Sequence, residues 1–264
     1  MLAQTTDIQV GRLALGYLLL LIPLGICLWY RVPLVKQTLL GAVRMTAQLV
    51  LVGFYLDVIF DLNNPWLTAL WLLVMVAVAD VSVLRHCGFR LKPFVGPLFV
   101  AMMVGVGLPA LMFLLVILDL PHVMEPRFLI PIAGMTLGNC LRANIIGIGR
   151  FYKDIHREDK AYLLSLAQGA NLGEAVFPYL RSALQAALAP TLATMATIGL
   201  VSLPGMMTGV ILGGQSPLPA IKYQIAIMLS IFSGTALTIL VTIQLTLPKC
   251  FDGYGILDRR IFKQ

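Results

Sequence analysis

Long apolar runs alternate with short polar clusters along almost the whole chain. A helix needs about 20 apolar residues to cross the hydrocarbon layer of a bilayer. Seven runs qualify: Leu13–Tyr30, Leu40–Phe60, Trp66–Leu84, Phe94–Leu118, Phe128–Gly149, Ala187–Leu212 and Ile225–Leu247. The pattern predicts an all-α integral membrane protein of about seven transmembrane helices, forming one polytopic domain over residues 1–264. Glycine and proline within several runs fit this reading, because neighbouring helices re-satisfy the backbone groups they free. The first run is preceded by Asp7 and a single Arg12 and has no small-residue cleavage site, so it reads as a span rather than a cleaved leader.

One polar interruption is too long and too charged to lie in lipid. Between Arg142 and Gln185 stand Arg150, Lys153, Asp154, Arg157, Glu158, Asp159, Lys160, Glu174 and Arg181. Each charge at a bilayer centre costs roughly 2.5–3.5 kcal/mol on insertion scales. Residues from about 150 to 186 are therefore predicted to be a helical segment outside the membrane, between the fifth and sixth spans. Its first half, Arg150–Ala167, reads as an extension of the fifth helix, with Ile155, Tyr162, Leu163 and Leu166 as an apolar stripe. Gly169 suits a C-terminal cap, and Asn171 with Glu174 has capping-box spacing for a new short helix. Pro178 predicts a kink in it. Leu172, Ala175, Val176 and Phe177 give that helix an apolar surface, which a plain connecting hairpin would not need.

Charge orients the chain. Sixteen of its nineteen Lys and Arg residues flank one set of span ends, while Arg12, Arg127 and Lys222 lie at the other, where Asp57, Asp61, Asp119 and Glu125 also sit. Basic residues gather on the cytoplasmic side. The amino terminus is thus predicted outside, and the carboxyl terminus and the 150–186 segment in the cytoplasm. Composition agrees: 59% of residues are hydrophobic and 12% charged, half the charge of an average soluble domain. The net charge of +7 is accounted for by these loops, and no interleaved basic and aromatic stretch suggests nucleic acid. Cys27, Cys87, Cys140 and Cys250 form no CxxC pair or disulfide framework.

Polar residues inside spans are candidates for function by default. Gln48 lies a turn beyond Arg44, and the two could share a cavity, or Arg44 could reach the interface and Gln48 bond a neighbouring helix. Asp80 and Arg85 read as a structural pair. Pro131, Gly134, Gly138 and Asn139, and then Ser202, Pro204, Gly205 and Gly209, interrupt the two spans that flank the charged segment. Such breaks can expose backbone at a transport site, or the glycines can make a packing seam. Met135, Met206 and Met207 lie among them, and twelve methionines in all suit apolar packing better than a soft-ion lining. His86, His122 and His156 are dispersed, so no metal site can be assigned.

Three stretches carry a resemblance: Ile130-Pro131-Ile132-Ala133-Gly134-Met135 with Gly138-Asn139; Gly199-Leu200-Val201-Ser202-Leu203-Pro204-Gly205-Met206-Met207-Thr208-Gly209; and Ala220-Ile221-Lys222-Tyr223-Gln224-Ile225. With Arg44, Gln48 and Gly53, they resemble the FetB-type permeases, membrane subunits of iron-export ABC transporters, and the similar plant aluminium-tolerance half-transporters. The resemblance implies a separate cytoplasmic ATPase subunit, a permease homodimer in a two-plus-two complex, and ATP and Mg bound on the partner, with no cofactor on this chain. The chain has no G-x-x-x-x-G-K-[ST] motif to cradle phosphates itself. It also implies coupling through the charged segment, at Gly169, Ala170, Asn171, Leu172, Glu174, Val176 and Phe177. The Glu-Ala-Ala of importer coupling loops is replaced here by Leu163, Leu164 and Ser165.

The expectation is therefore a plasma-membrane permease of an ATP-driven exporter, with a pathway drawn from Arg44, Gln48, Met135, Asn139, Ser202, Pro204, Met206 and Met207. A transporter needing no ATPase would want an intramembrane acid, for which Asp80 alone is available. A seven-span receptor is the other alternative. No catalytic set is apparent.

Overall fold

Helix starts and stops follow local chemistry. In the computed structural model, which describes residues 9–121, 123–214 and 216–262, α1 (Val10–Gly16) and α2 (Leu21–Trp29) are joined by a 3₁₀ turn into one rod. After it come α3 (Val35–Leu62), α4 (Pro65–Cys87), α5 (Leu91–Met112), α6 (Pro126–Arg157), α7 (Asp159–Ala167), α8 (Leu172–Thr197), α9 (Gly205–Leu212) and α10 (Pro217–Cys250). Asp7, His122 and Lys263 lie outside the described residues. Asn64 caps α4, accepting from Trp66 N at 2.9 Å, with Pro65 pre-set for the first turn. Proline likewise opens α6 and α10.

Among the described residues, six rods are long and apolar enough to cross a membrane. The predicted sixth span, Ala187–Leu212, is not one of them. The helix that enters it has already begun at Leu172 and runs unbroken past Pro178 to Thr197, so the predicted short helix is the first part of a long one. The chain then turns through residues 198–204 before α9. Gly199, at φ +87°, donates its N–H to the Ser202 carbonyl at 2.9 Å. The left-handed turn and Pro204, which has no N–H to give, end the helical ladder.

The core is built by α4, α5, α6 and α10. α5 and α10 meet backbone to backbone at Gly105 and Gly234. A Cβ on Gly105 would stand 2.8 Å from the Gly234 carbonyl, and one on Gly234 would strike the Gly105 carbonyl. This is the tight seam of the fold. The glycines predicted to make one do not: Gly138, Gly205 and Gly209 have nothing within 4 Å, and Gly134 meets only the end of Met75. Further along α10, Thr242 donates to Asn144 Oδ1 (3.4 Å) and Tyr152 donates to Thr246 Oγ1 (2.6 Å), Asn144 and Tyr152 coming from α6. Gly147 of α6 lies where Ile239 of α10 and Ala187 of α8 close in, at 3.1 and 3.3 Å from its notional Cβ. By contrast α2 buries nothing and α3 only Ile59.

The charged segment is an elbow. α6 ends at Arg157 rather than continuing to Ala167, and Arg150, Asp154, Arg157 and Glu158 form a chain of ion pairs at 3.2–3.3 Å where it stops. α7 turns back, and its Tyr162, 1% exposed, donates to the Gly255 carbonyl at 2.6 Å. The tail after α10 thus clasps the elbow. Arg259 pairs with Asp159, and Arg90 N donates to the Ile261 carbonyl at 2.8 Å. Phe89 packs edge to face on Tyr152 and Phe262, Phe94 does so on Tyr152, and Phe251 lies tilted against Tyr152.

Gly234→Ala should lower the melting midpoint in detergent, at a cost of roughly 1–3 kcal/mol, because backbone cannot yield as a side chain can. An unchanged midpoint would contradict the seam. Tyr162→Phe should lose about 1–3 kcal/mol by orphaning a buried carbonyl and speed amide exchange at residues 255–262. Burial, with Tyr179 and Asp252 adding to it, pushes the Tyr162 phenol up to about 12 from the usual 10. Its folded form holds the proton more tightly, so the contribution is intact below pH 10 and is lost as pH rises towards 12. Tail exchange in Tyr162→Phe should lack that pH step.

Candidate functional site

The break between α8 and α9 opens a cavity of about 320 Å³ against α6 and the first half of α10. Five of the eight residues expected to line a pathway meet there: Met135 and Asn139 from α6, and Ser202, Pro204 and Met206 from the break. Asn139 Nδ2 donates to the Met135 carbonyl at 2.8 Å, which ties its amide nitrogen to its own helix. Met207 faces two neighbouring cavities instead. Arg44 and Gln48 are not brought in. Both are exposed on α3, which touches the core only lightly.

Two lining residues escape the hydropathy reading. Gln224 is only 8% exposed, and its Oε1 is buried without a hydrogen-bond partner. It stands between this cavity and an apolar one of about 410 Å³. Hydropathy starts the last span at Ile225, but the helix begins at Pro217, so Gln224 lies two turns inside it. Ser216-Pro217, a helix-start signal, would have placed it. Arg142 reads in the sequence as part of the charged segment. It lies midway along α6 and also lines the cavity, with no ion pair among the described residues.

The lining is therefore mostly apolar, with Arg142 as its one cation, a few amides and hydroxyls, and thioethers from Met135, Met206 and Met228. No described lining residue is Asp, Glu, His or Cys, and no three such residues converge anywhere among the described residues. Asp80 lies outside the cavity, 1% exposed, with Oδ1 unpartnered. Its expected pairing with Arg85 does not form. Five residues along a helix is a turn of about 140° past the starting face, so Asp80 points in and Arg85 out.

The same two helices that line the cavity carry the elbow. Gly169 takes φ +95° at the turn, as a C-terminal cap requires. Asn171 and Glu174 close the capping box, with N–H bonds of 2.9 and 2.8 Å. Ala170 and Leu172 are half-buried, and Ala175 and Val176 are buried against the bundle. Much of the expected docking surface is thus turned inward, because positions 172, 175 and 176 share one helix face. Phe177, on the next face, is 62% exposed, and Leu163 and Leu164 of α7 are exposed as well.

A bundle of apolar rods around an intramembrane cavity and a broken helix defines a multi-span membrane protein of permease type. The chain belongs to the family described as "Uncharacterised protein family (UPF0014)", whose model matches residues 10–251. It is 36% identical over 238 residues to "UPF0014 membrane protein slr1647" of Synechocystis, covering 89% of this chain and 92% of that one. It is 32% identical to the "Probable iron export permease protein FetB" of Escherichia coli, over 93% of both chains. With "Protein ALUMINUM SENSITIVE 3" of Arabidopsis thaliana it shares 34% identity, over 83% of this chain and 79% of the relative. No solved structure matches the chain.

An unpartnered buried amide contributes nothing to stability. Gln224→Met should leave the melting midpoint unchanged or raise it, by up to about 1–3 kcal/mol of relieved desolvation, while reducing transport. A clear loss of stability would show that Gln224 already has a partner.

Proposed function

We propose that the chain is the permease subunit of an ATP-driven exporter of the plasma membrane, energised by a separate cytoplasmic ATPase. The observation that carries this reading is the continuity of α6 and α8, which line the cavity at one level and bear the elbow at another. A push on the elbow reaches the cavity through unbroken helix. The distribution of basic residues, fifteen of nineteen at one set of ends with Arg142 set within α6, supports an elbow facing the cytoplasm. Its exposed Leu163, Leu164 and Phe177 offer the ATPase an apolar knob. ATP and Mg bind on that partner and not here. The relative named as an iron export permease supports export, with a metal as cargo.

The working unit is a permease homodimer with two ATPases. Lipid does not tolerate irregular backbone or bare charge. Yet Leu200 and Val201 project 91% and 79% exposed from the break, and Arg44 and Gln48 lie open on α3. A second copy would cover them.

Phe177→Glu, at an exposed position, should preserve the melting midpoint. It should lower ATPase stimulation in the reconstituted complex by tenfold or more, the effect of burying a charge in an apolar contact. Undiminished stimulation and assembly would refute coupling through this face. One observation favours a second reading: buried, unpartnered Asp80 is the kind of acid that carries protons in gradient-driven transporters. ATP-free proteoliposomes under a pH gradient test it, since uptake abolished by Asp80→Asn would establish it.

A further inference from the structure

The cavity combines features that together specify a ligand. Arg142, an exposed side chain, brings a positive charge to its edge, and no described residue of the lining offsets it. An unpaired guanidinium within the span is costly unless something anionic or water meets it. Gln224, more than nine-tenths buried, also lines the same space, with its unpartnered Oε1 sealed off from it. Ser202, Thr191 and Thr194 add hydroxyl groups. A bare divalent or trivalent cation wants several hard oxygen or nitrogen ligands, carboxylates foremost, and repels a guanidinium. The lining offers it no carboxylate or imidazole.

We infer that the α6–α8–α10 cavity binds an oxyanion, a carboxylate or phosphate group held by Arg142, with the hydroxyls of Thr191 and Ser202 in reach of its other oxygens. A metal ion entering this cavity does so inside an anionic chelate, its charge already covered by the ligand's own oxygens. The guanidinium fork matches a carboxylate or phosphate edge in a bidentate way. The volume of about 320 Å³ sits at the small end of ligand sites and admits a small polycarboxylate rather than a large siderophore. The inference rests on the cavity being the transport route, and its test separates the two.

The purified full chain in nanodiscs is titrated calorimetrically with citrate, with gallium(III) citrate, with inorganic phosphate and pyrophosphate, and with Mn²⁺ alone. Saturable binding is expected for citrate, for its gallium chelate or for both, and none for Mn²⁺. A response to citrate alone identifies the free acid as the ligand, and a response to the chelate alone identifies the complex. Arg142→Gln should weaken binding roughly tenfold or more, as loss of a charge-assisted bond predicts, and Arg142→Lys should restore part of it. Melting midpoints of both variants serve as the folding control. The inference is overturned if no oxyanion of the panel binds, if Arg142→Gln binds as the unaltered protein does, or if Mn²⁺ saturates a site that survives Arg142→Gln. ATPase stimulation through the elbow is measured on the same preparations. Stimulation intact with binding independent of Arg142 sinks the ligand assignment alone. Citrate bound through Arg142 but never transported sinks the route while leaving the site.

Discussion

Two glycines set the geometry of the molecule. Where Gly105 and Gly234 meet, α5 and α10 approach until backbone touches backbone, leaving no room for even a methyl group. In lipid no hydrophobic drive holds helices together, so close van der Waals packing does most of that work. With α10 fixed against α5, the rotation of the whole helix is fixed too. Thr242 and Thr246 then stand where Asn144 and Tyr152 of α6 can reach them. The first half of α10 brings Gln224 to the cavity. Loosening the seam would disturb the hydrogen bonds below it and the polar wall above it.

Around this fixed core the chain keeps its irregular parts for the periphery. The break after Thr197, the elbow and the tail clasp are all made of turns with special backbone needs: Gly199, Gly169 and Gly255 each sit at positive φ. Each turn is closed by a specific bond rather than by mass packing. The capping box closes the elbow, the Gly199–Ser202 bond closes the break, and the Tyr162–Gly255 bond closes the clasp. Such single contacts can open without melting the bundle, which is what moving parts of a transporter require.

Most of the helices were legible in the sequence, because a run of apolar residues at membrane length has few other fates. The capping box and the glycine stop at 169 were legible for the same local reason, their spacing being their mechanism. The discontinuity of the sixth span was hinted at by Pro204 and Gly205, but hydropathy alone smooths over a seven-residue turn made of apolar side chains. The tail clasp left no trace, since its bonds join residues about 90 positions apart and its residues show no periodicity. Arg142 and Gln224 were hidden by their positions. One sits among loop charges in the sequence and the other at the blurred start of a span, and only packing shows which way each faces. The direction of the elbow's apolar residues was lost likewise, for neighbouring positions 176 and 177 differ by about 100° of helix rotation.

α6 runs without a break from Pro126 to Arg157, and of its glycines Gly147 is the one that neighbours press closest. A pivot at that contact would have unequal arms. Arg157 lies ten residues beyond it and Arg142 five residues before it, arms of about 15 and 7.5 Å at the rise of an α-helix. A stiff rod rocking there would halve any displacement of its tip and reverse its sense at the cavity. The gearing favours force over travel: a broad stroke at one end becomes a short, strong shift of the guanidinium at the other.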